Sequence, residues 1–360
     1  MKQILDNNSG MALLVTLAVI SILLTLALHL ARITGQSVMA TGTAKTQFLA
    51  QEMAISGIHL AMAILANDAG KNEIDSLQED WADPEKISQA VNQLGYPPTQ
   101  DKQSPLSLKI TDELGKLQVN ALLKDFPGHE LNPDQRLLWE NLLNLKIATD
   151  KPKAPQDPVA IINALKDWLD SGDDDAITGL SGAESDYYLQ LDTPYTAGNG
   201  PFNQVSQVLN VKGISSDQKQ LIQEMLTVYG LEDTPKDSNT YGFSGKININ
   251  TAGVDILAAL LPRGMEDTAE DLVAFRQEKT GNDDVFVNIL DKGWYERVIK
   301  LPEKEKKRFD RMIRYNSTLF RADCTAQVDN VSVMVSAVIK REQDKLTNLW
   351  VCRIIQLTKE

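Results

Sequence analysis

Residues 11–31 read MALLVTLAVISILLTLALHLA, and His29 is the only ionisable side chain among them. At about 1.5 Å of rise per residue, a helix of this length matches a bilayer's hydrocarbon core of about 30 Å. A helix apolar on every face is either deeply buried or lipid-facing, and its place at the start of the chain favours lipid. A cleavable export signal would end in a small-residue site. Here Arg32, Ile33, Thr34 and Gly35 follow, and helix-permissive sequence continues. The stretch reads as an anchor.

Before the run, MKQILDNNSG forms a short polar leader ending at Gly10. After it, Phe48, Leu49, Met53, Ile55, Ile58, Leu60, Met62, Ile64 and Leu65 recur at three- and four-residue steps. That pattern predicts a long stem, its lower half in lipid and its upper half packed by one face on a globular head. Residues 71–103 are polar, with Pro84, Pro97 and Pro98, and read as a short helix and loop.

Leu106, Leu108 and Ile110, then Leu117 and Val119, alternate with polar residues around the turn-rich stretch 111–115, which predicts a two-stranded hairpin. Asn120 is expected to cap the helix that follows. GKLQVNA at 115–121 is echoed by GKININTA at 245–252, again a short strand followed by an expected Asn cap. Between the echoes the sequence is mostly helical. Asp157 followed by Pro158 marks a helix start, with Ile161, Leu165, Trp168 and Leu169 as its buried stripe. Residues 201–230 read as helix, Gly turn and Ser-capped helix, and residues 256–281 with 285–293 as a further helix-turn-helix run. The tail returns to three alternating strands, with turns at Asp329–Asn330 and at 341–345. The early hairpin and the late meander are expected to share one sheet.

A net charge of −13 lacks the basic footprint that binding to phosphate backbones requires. His29, His59 and His129 sit in no metal-like spacing with each other or with Cys324 and Cys352, so zinc and Cys/His nucleophile chemistry find no support. The two cysteines permit at most one bridge, and two buried free thiols fit the sequence equally well. The five tryptophans read as core or rim aromatics.

From Asp167 to Asp192 there are eight carboxylates and no Lys or Arg. Hard oxygen ligands interspersed with Gly and Ser suit a Ca²⁺ ion, which takes six to eight oxygens. The spacing is not that of an EF-hand, and a solvated acidic loop fits the composition as well.

The Gly10–Met11 junction resembles the prepilin-peptidase site of type IV pilin-like proteins. Counted from Met11, the fifth residue is Val15, where most of that superfamily carries Glu. Among pseudopilins of type II secretion, a missing acid there resembles the K component. DWLD with its acidic loop, GAESDYYLQLDTPYTAGNGPFNQVSQVLNVKGIS, GKLQVNAL and GKININTA, in that order, resemble the same family over essentially the whole chain. The resemblance implies an α+β fold: a pilin-like long N-terminal helix packed on an antiparallel sheet, with a large all-α insertion. It places a leader at 1–10, the transmembrane part at 11–31, and the rest of the stem with the first strands at 32–120. The helical insertion would occupy 121–314 and the C-terminal strands 315–360.

The resemblance further implies processing between Gly10 and Met11 by a prepilin peptidase, with methylation of the new terminus. It implies a structural Ca²⁺ held by Asp170, Asp173, Asp175, Glu184 and Asp186, a set that the family pattern does not separate from Asp167 or Asp174. The expected role is non-enzymatic: a minor pseudopilin at the pseudopilus tip with the I and J components, promoting assembly for export of folded proteins. The expected place is the inner membrane, single-pass, with the N-terminus cytoplasmic and the head periplasmic. An alternative comes from residues 246–277, which resemble a helix-hairpin-helix and would suit a membrane-tethered DNA receptor. Arg263 there is followed at once by Glu266, Asp267, Glu270 and Asp271, so no nucleic-acid partner is expected. A minor pilin of a type IV pilus is the other alternative.

Overall fold

The computed structural model describes residues 9–71, 73–98, 104–150, 157–172, 177–214, 224–232, 239–281 and 285–359. One helix, α1 (Ser9–Ala69), carries both the lipid-length run and the stem. It is the one helix among the described residues that is long and apolar enough to cross a membrane. Its lower half is exposed on all sides. In the upper half Ala50, Ala54, Ile58, Ala61 and Leu65 are buried, a stripe at steps of three and four.

That stripe lies on a four-stranded antiparallel sheet of order β1-β6-β7-β8, formed by Leu106–Asp112, Leu319–Val328, Val331–Gln343 and Trp350–Lys359. The stripe is mostly alanine because the sheet comes very close. A Cβ added at Gly57 would overlap Sγ of Cys324 on β6. Gly57→Leu is therefore expected to destabilise the head by about 1–3 kcal/mol through overpacking, although glycine is the poorer helix former. Thermal melts should show the loss, with part of it recovered when Cys324→Ala is added.

The hairpin predicted between Leu106 and Val119 does not form. β1 pairs with β6, more than 200 residues away, from Leu106↔Ala326 to Asp112↔Phe320. The next segment, β2 (Leu117–Gln118), leaves the sheet and pairs in parallel with β3 (Leu226–Thr227). Asp112 and Glu113 turn the chain. The Asp112 carboxylate is buried among hydroxyl and amide donors, and Glu113 N bonds Leu319 O. Asn120 is not a helix cap either. It lies inside a 3-10 turn, Val119–Leu122, that the Gln118 side chain caps.

The echo has a structural counterpart. β4 (Ile247–Asn248) pairs in parallel with β5 (Ile313–Arg314), as β2 does with β3. Around these pairs the helices α2 (Pro84–Asn92), α3 (Pro133–Asp150), α4 (Pro158–Leu169), α5 (Ser185–Tyr188), α6 (Val254–Leu260), α7 (Thr268–Gln277) and α8 (Glu303–Met312) complete the head. α4 starts as expected: the Asp157 side chain accepts from Val159 N at 2.9 Å, and Pro158 opens the helix. The segment 201–214 is a 3-10 turn rather than a helix (Val205–Asn210), and 285–291 is not helical. The expected Ser-capped helix, within 214–230, lies outside the described residues over 215–223, and where the chain is described again Leu226–Thr227 is strand β3 rather than helix.

Two hydrophobic cores result. One joins α1, α2 and the sheet, including Trp81 and Phe320. The other fills the helical part with Trp139, Trp168, Trp294 and Tyr295 among its buried aromatics. The second meander turn lies at 344–349, later than expected, so Arg341 sits within β7 and is buried. Cys324 and Cys352 are both free, and β7 lies between their strands.

Candidate metal centre and processing junction

α4 ends by placing Asp167 and Asp170 at the mouth of the acidic loop. Asp167 is fully buried and accepts from Thr178 N at 3.1 Å and from Ala183 N at 2.8 Å. Those bonds close the loop back onto the helix. Gly182 permits this, because a Cβ there would overlap Asp167 Oδ2. Glu184, buried just before α5, brings a third carboxylate, and one oxygen from each of Asp167, Asp170 and Glu184 lies within 4.8 Å of the others.

The charge on this cluster is only partly offset. Lys166 Nζ reaches Asp170 Oδ2 at 2.6 Å, and His129 Nδ1 lies 3.7 Å from the same oxygen. Asp170 Oδ1 is buried without a hydrogen-bond partner among the described residues. Burial raises the Asp170 carboxyl above its ordinary range, against the pull of Lys166. Three carboxylates that converge in this way, on residues that include an unsatisfied buried acceptor, fit a calcium ion. The backbone bonds to Asp167 fix its orientation as hydrogen bonds to ligating carboxylates do.

Of the residues expected to bind Ca²⁺, Asp170 and Glu184 meet here. Asp186 is exposed in α5 and is not part of the cluster, while Asp173 and Asp175 lie outside the described residues. Asp167 takes a place that spacing alone had left open. Its burial against backbone amides has no sequence signature beyond the small residues at 181–183.

Residues 115–231, which hold this cluster, match the family description "Type II secretion system (T2SS), protein K". The chain is 27% identical over 267 residues to the type II secretion system protein K of Pseudomonas aeruginosa, covering 71% of this chain and 68% of the relative. With the K protein of Klebsiella pneumoniae it shares 26% over 261 residues, 71% of each chain. These matches make the chain similar to type II secretion system protein K.

The fold agrees with that of a chain in the crystal structure of the GspK-GspI-GspJ complex from the enterotoxigenic Escherichia coli type 2 secretion system. The TM-score is 0.60 at 16% identity, over 89% of this chain and 99% of that one. Given that similarity, two other sequence features take on meaning. Gly10 and Met11 lie within the exposed first turns of α1, and Val15 is 56% exposed on the lipid-length run. In the hairpin between α6 and α7, Gly264 N donates to Glu266 Oε2 at 2.7 Å. A backbone amide that could meet phosphate is thereby held by a carboxylate, which works against the DNA-receptor alternative.

Proposed function

We propose that this protein is the minor pseudopilin that caps the pseudopilus, assembling with the I and J pseudopilins and promoting filament assembly for export of folded proteins. The observation that carries the reading is the stem. A lipid-length run with apolar Val15 at the fifth position after Gly10 continues without a break into a helix packed on an antiparallel head. An acid at that position in hydrocarbon costs several kcal/mol unless it finds a partner. A first subunit has no earlier neighbour to provide one. The bulky helical part gives a matching steric argument, since little could stack above it.

The protein acts by assembly rather than by catalysis. Its N-terminus faces the cytoplasm and its head the periplasm of the inner membrane. Prepilin peptidase cuts after Gly10 and methylates Met11. The solved GspK-GspI-GspJ complex supports the choice of partners. The test is co-purification of the full-length chain, in detergent, with the I and J pseudopilins of the same genome, together with a secretion assay on the deletion strain. A recovered ternary complex and blocked export are expected. Normal export after deletion would remove the proposal.

The Asp167, Asp170 and Glu184 cluster would hold a structural Ca²⁺ beside the loop end that Thr178 and Ala183 tie to α4. EDTA is expected to lower the melting temperature and added Ca²⁺ to restore it. Asp170→Asn should weaken Ca²⁺ binding by at least about tenfold and abolish the response to chelator. An unchanged response in that variant would show that these carboxylates do not hold the ion.

A further inference from the structure

A groove of about 920 Å³ runs between the helical part and the far end of the sheet. Its walls include Phe202, Tyr229, Leu231, Tyr241, Phe243 and Ile355. Two of these are exposed: Leu231 by 59% and Ile355 by 48%. The segments that present them are fixed. Leu231 bridges Phe243, Glu232 N bonds Gly242 O at 2.9 Å, and Phe126 stacks on Tyr241 at 5.7 Å between centroids. The groove is therefore preformed, which lowers the entropy cost of filling it.

The charge lining the groove runs opposite to that of the molecule. In a chain of net charge −13, the described residues lining the groove include Arg314 and Lys340 against a single carboxylate, Glu232. Lys340 lies 3.6 Å from Glu342. Arg314 is different. Its Nε and Nη2 donate to the carbonyl and side-chain oxygens of Asn316, two residues on, at 2.5 and 3.2 Å. No carboxylate of the described residues lies within ion-pair distance of it. Burial pulls its pKa down, against the weaker attraction of the Asp112 and Asp75 carboxylates. A guanidinium in this setting is a receptor for a planar carboxylate. Exposed apolar side chains beside a preformed aromatic pocket are the usual anchors of a protein contact.

We propose that this groove docks a short peptide segment of a different protein, one that carries an aromatic or aliphatic side chain next to an acidic residue. The carboxylate pairs with Arg314, and the apolar side chain enters between Leu231, Phe243 and Ile355. Charge complementarity selects this occupant over a basic or neutral segment. The assignment does not depend on where in a filament the protein sits.

The probe is acetyl-(4-fluorophenylalanyl)-Asp-Leu-Asp-amide, titrated by fluorine NMR into the full-length protein in detergent micelles. The Asn-for-Asp peptide is the control. The acidic peptide is expected to bind at least about tenfold more tightly than the neutral one. Arg314→Gln should erase that difference, and Leu231→Asp, on the exposed rim, should weaken the acidic peptide by about tenfold or more. Near-UV circular dichroism reports whether each variant keeps its packing. Equal binding of the two peptides overturns the proposal, as does no binding at millimolar concentration. So does full binding by a folded Leu231→Asp variant. Self-association that Leu231→Asp abolishes would assign the groove to a second copy of this chain and would equally overturn it.

Discussion

Arg341→Met is expected to destabilise the head by about 3–5 kcal/mol and to lower its melting temperature by on the order of 10 °C. The side chain is buried and closes the end of the stem. Its Nη1 donates to Leu65 O at 3.3 Å and to Asp68 Oδ2 at 3.4 Å, both near the end of α1. Its Nη2 donates to Asp75 Oδ1 at 2.5 Å and to Ser317 O at 2.9 Å. The guanidinium also lies over the Phe320 ring at 4.8 Å. Methionine would fill much of the space but would leave two buried carboxylates without their cation. That loss is larger than anything the intact cluster contributes over an apolar replacement of all three residues. Arg341→Lys should fall between, because one ammonium cannot reach the stem, Asp75 and Ser317 together. Tryptophan fluorescence during urea unfolding measures each loss. A loss below about 1 kcal/mol for Arg341→Met would show that water reaches the site and screens the pair.

Arg341 also shows where sequence reading stops. Residues 341–345 look like a turn because charged residues cluster there, and a buried arginine has the same letter as a solvated one. What the sequence made legible was local. The lipid-length run shows in composition, the α4 start in Asp157–Pro158, and the first meander turn in Asp329–Asn330, where Asp329 adopts φ +50°. What it could not give was non-local pairing. Leu106 to Asp112 alternates correctly for a strand, but nothing nearby in the sequence says that its partner begins near residue 319 rather than at 117.

The echo lies between these cases. Gln118 Oε1 accepts from Asn120 N, and Asn248 Oδ1 accepts from Asn250 N, two residues on in both copies. Asn120 Nδ2 then reaches Val228 O just past β3, and Asn250 Nδ2 reaches Tyr315 O just past β5. The asparagines were expected as caps because Asn satisfies helix amides well. Instead they tie short parallel strands to their neighbours. In the metal cluster the same limit applies. An acidic loop is visible in composition, but which carboxylates turn inward depends on Thr178 and Ala183 presenting amides to Asp167.

The second large effect is expected at Asn248→Asp, because Asn248 stands at the seam of the two cores. Its Nδ2 contacts Asp75 O at 3.0 Å, Asp112 Oδ2 at 2.9 Å and Ser317 Oγ at 3.0 Å. Asp112 is fully buried, and burial raises its pKa against the opposing bonds from Ser317, Thr251, Leu114 N and Asn248. Replacing the amide nitrogen with a carboxylate oxygen removes a donor and sets two carboxylates against each other. The expected loss is about 3 kcal/mol or more near neutral pH. A carboxyl whose folded pKa is raised supports the fold fully below its ordinary value, about 4, and loses that support as pH rises through the folded value. In the variant the two groups would share a proton, which raises that value further. The deficit against wild type should therefore be greatest at pH 7–8 and shrink on acidification toward about pH 4. Asn248→Ala removes the donor without adding charge, so its deficit should vary much less with pH. Melting curves of all three proteins across that range separate the causes. A deficit for Asn248→Asp that does not change with pH would place the damage in the lost hydrogen bonds alone. Because Asn248 and Asn250 both hold the Asp75 carbonyl, a weakened seam should uncouple the helical part from the stem before either core melts, and export should fail while the head still retains its secondary structure.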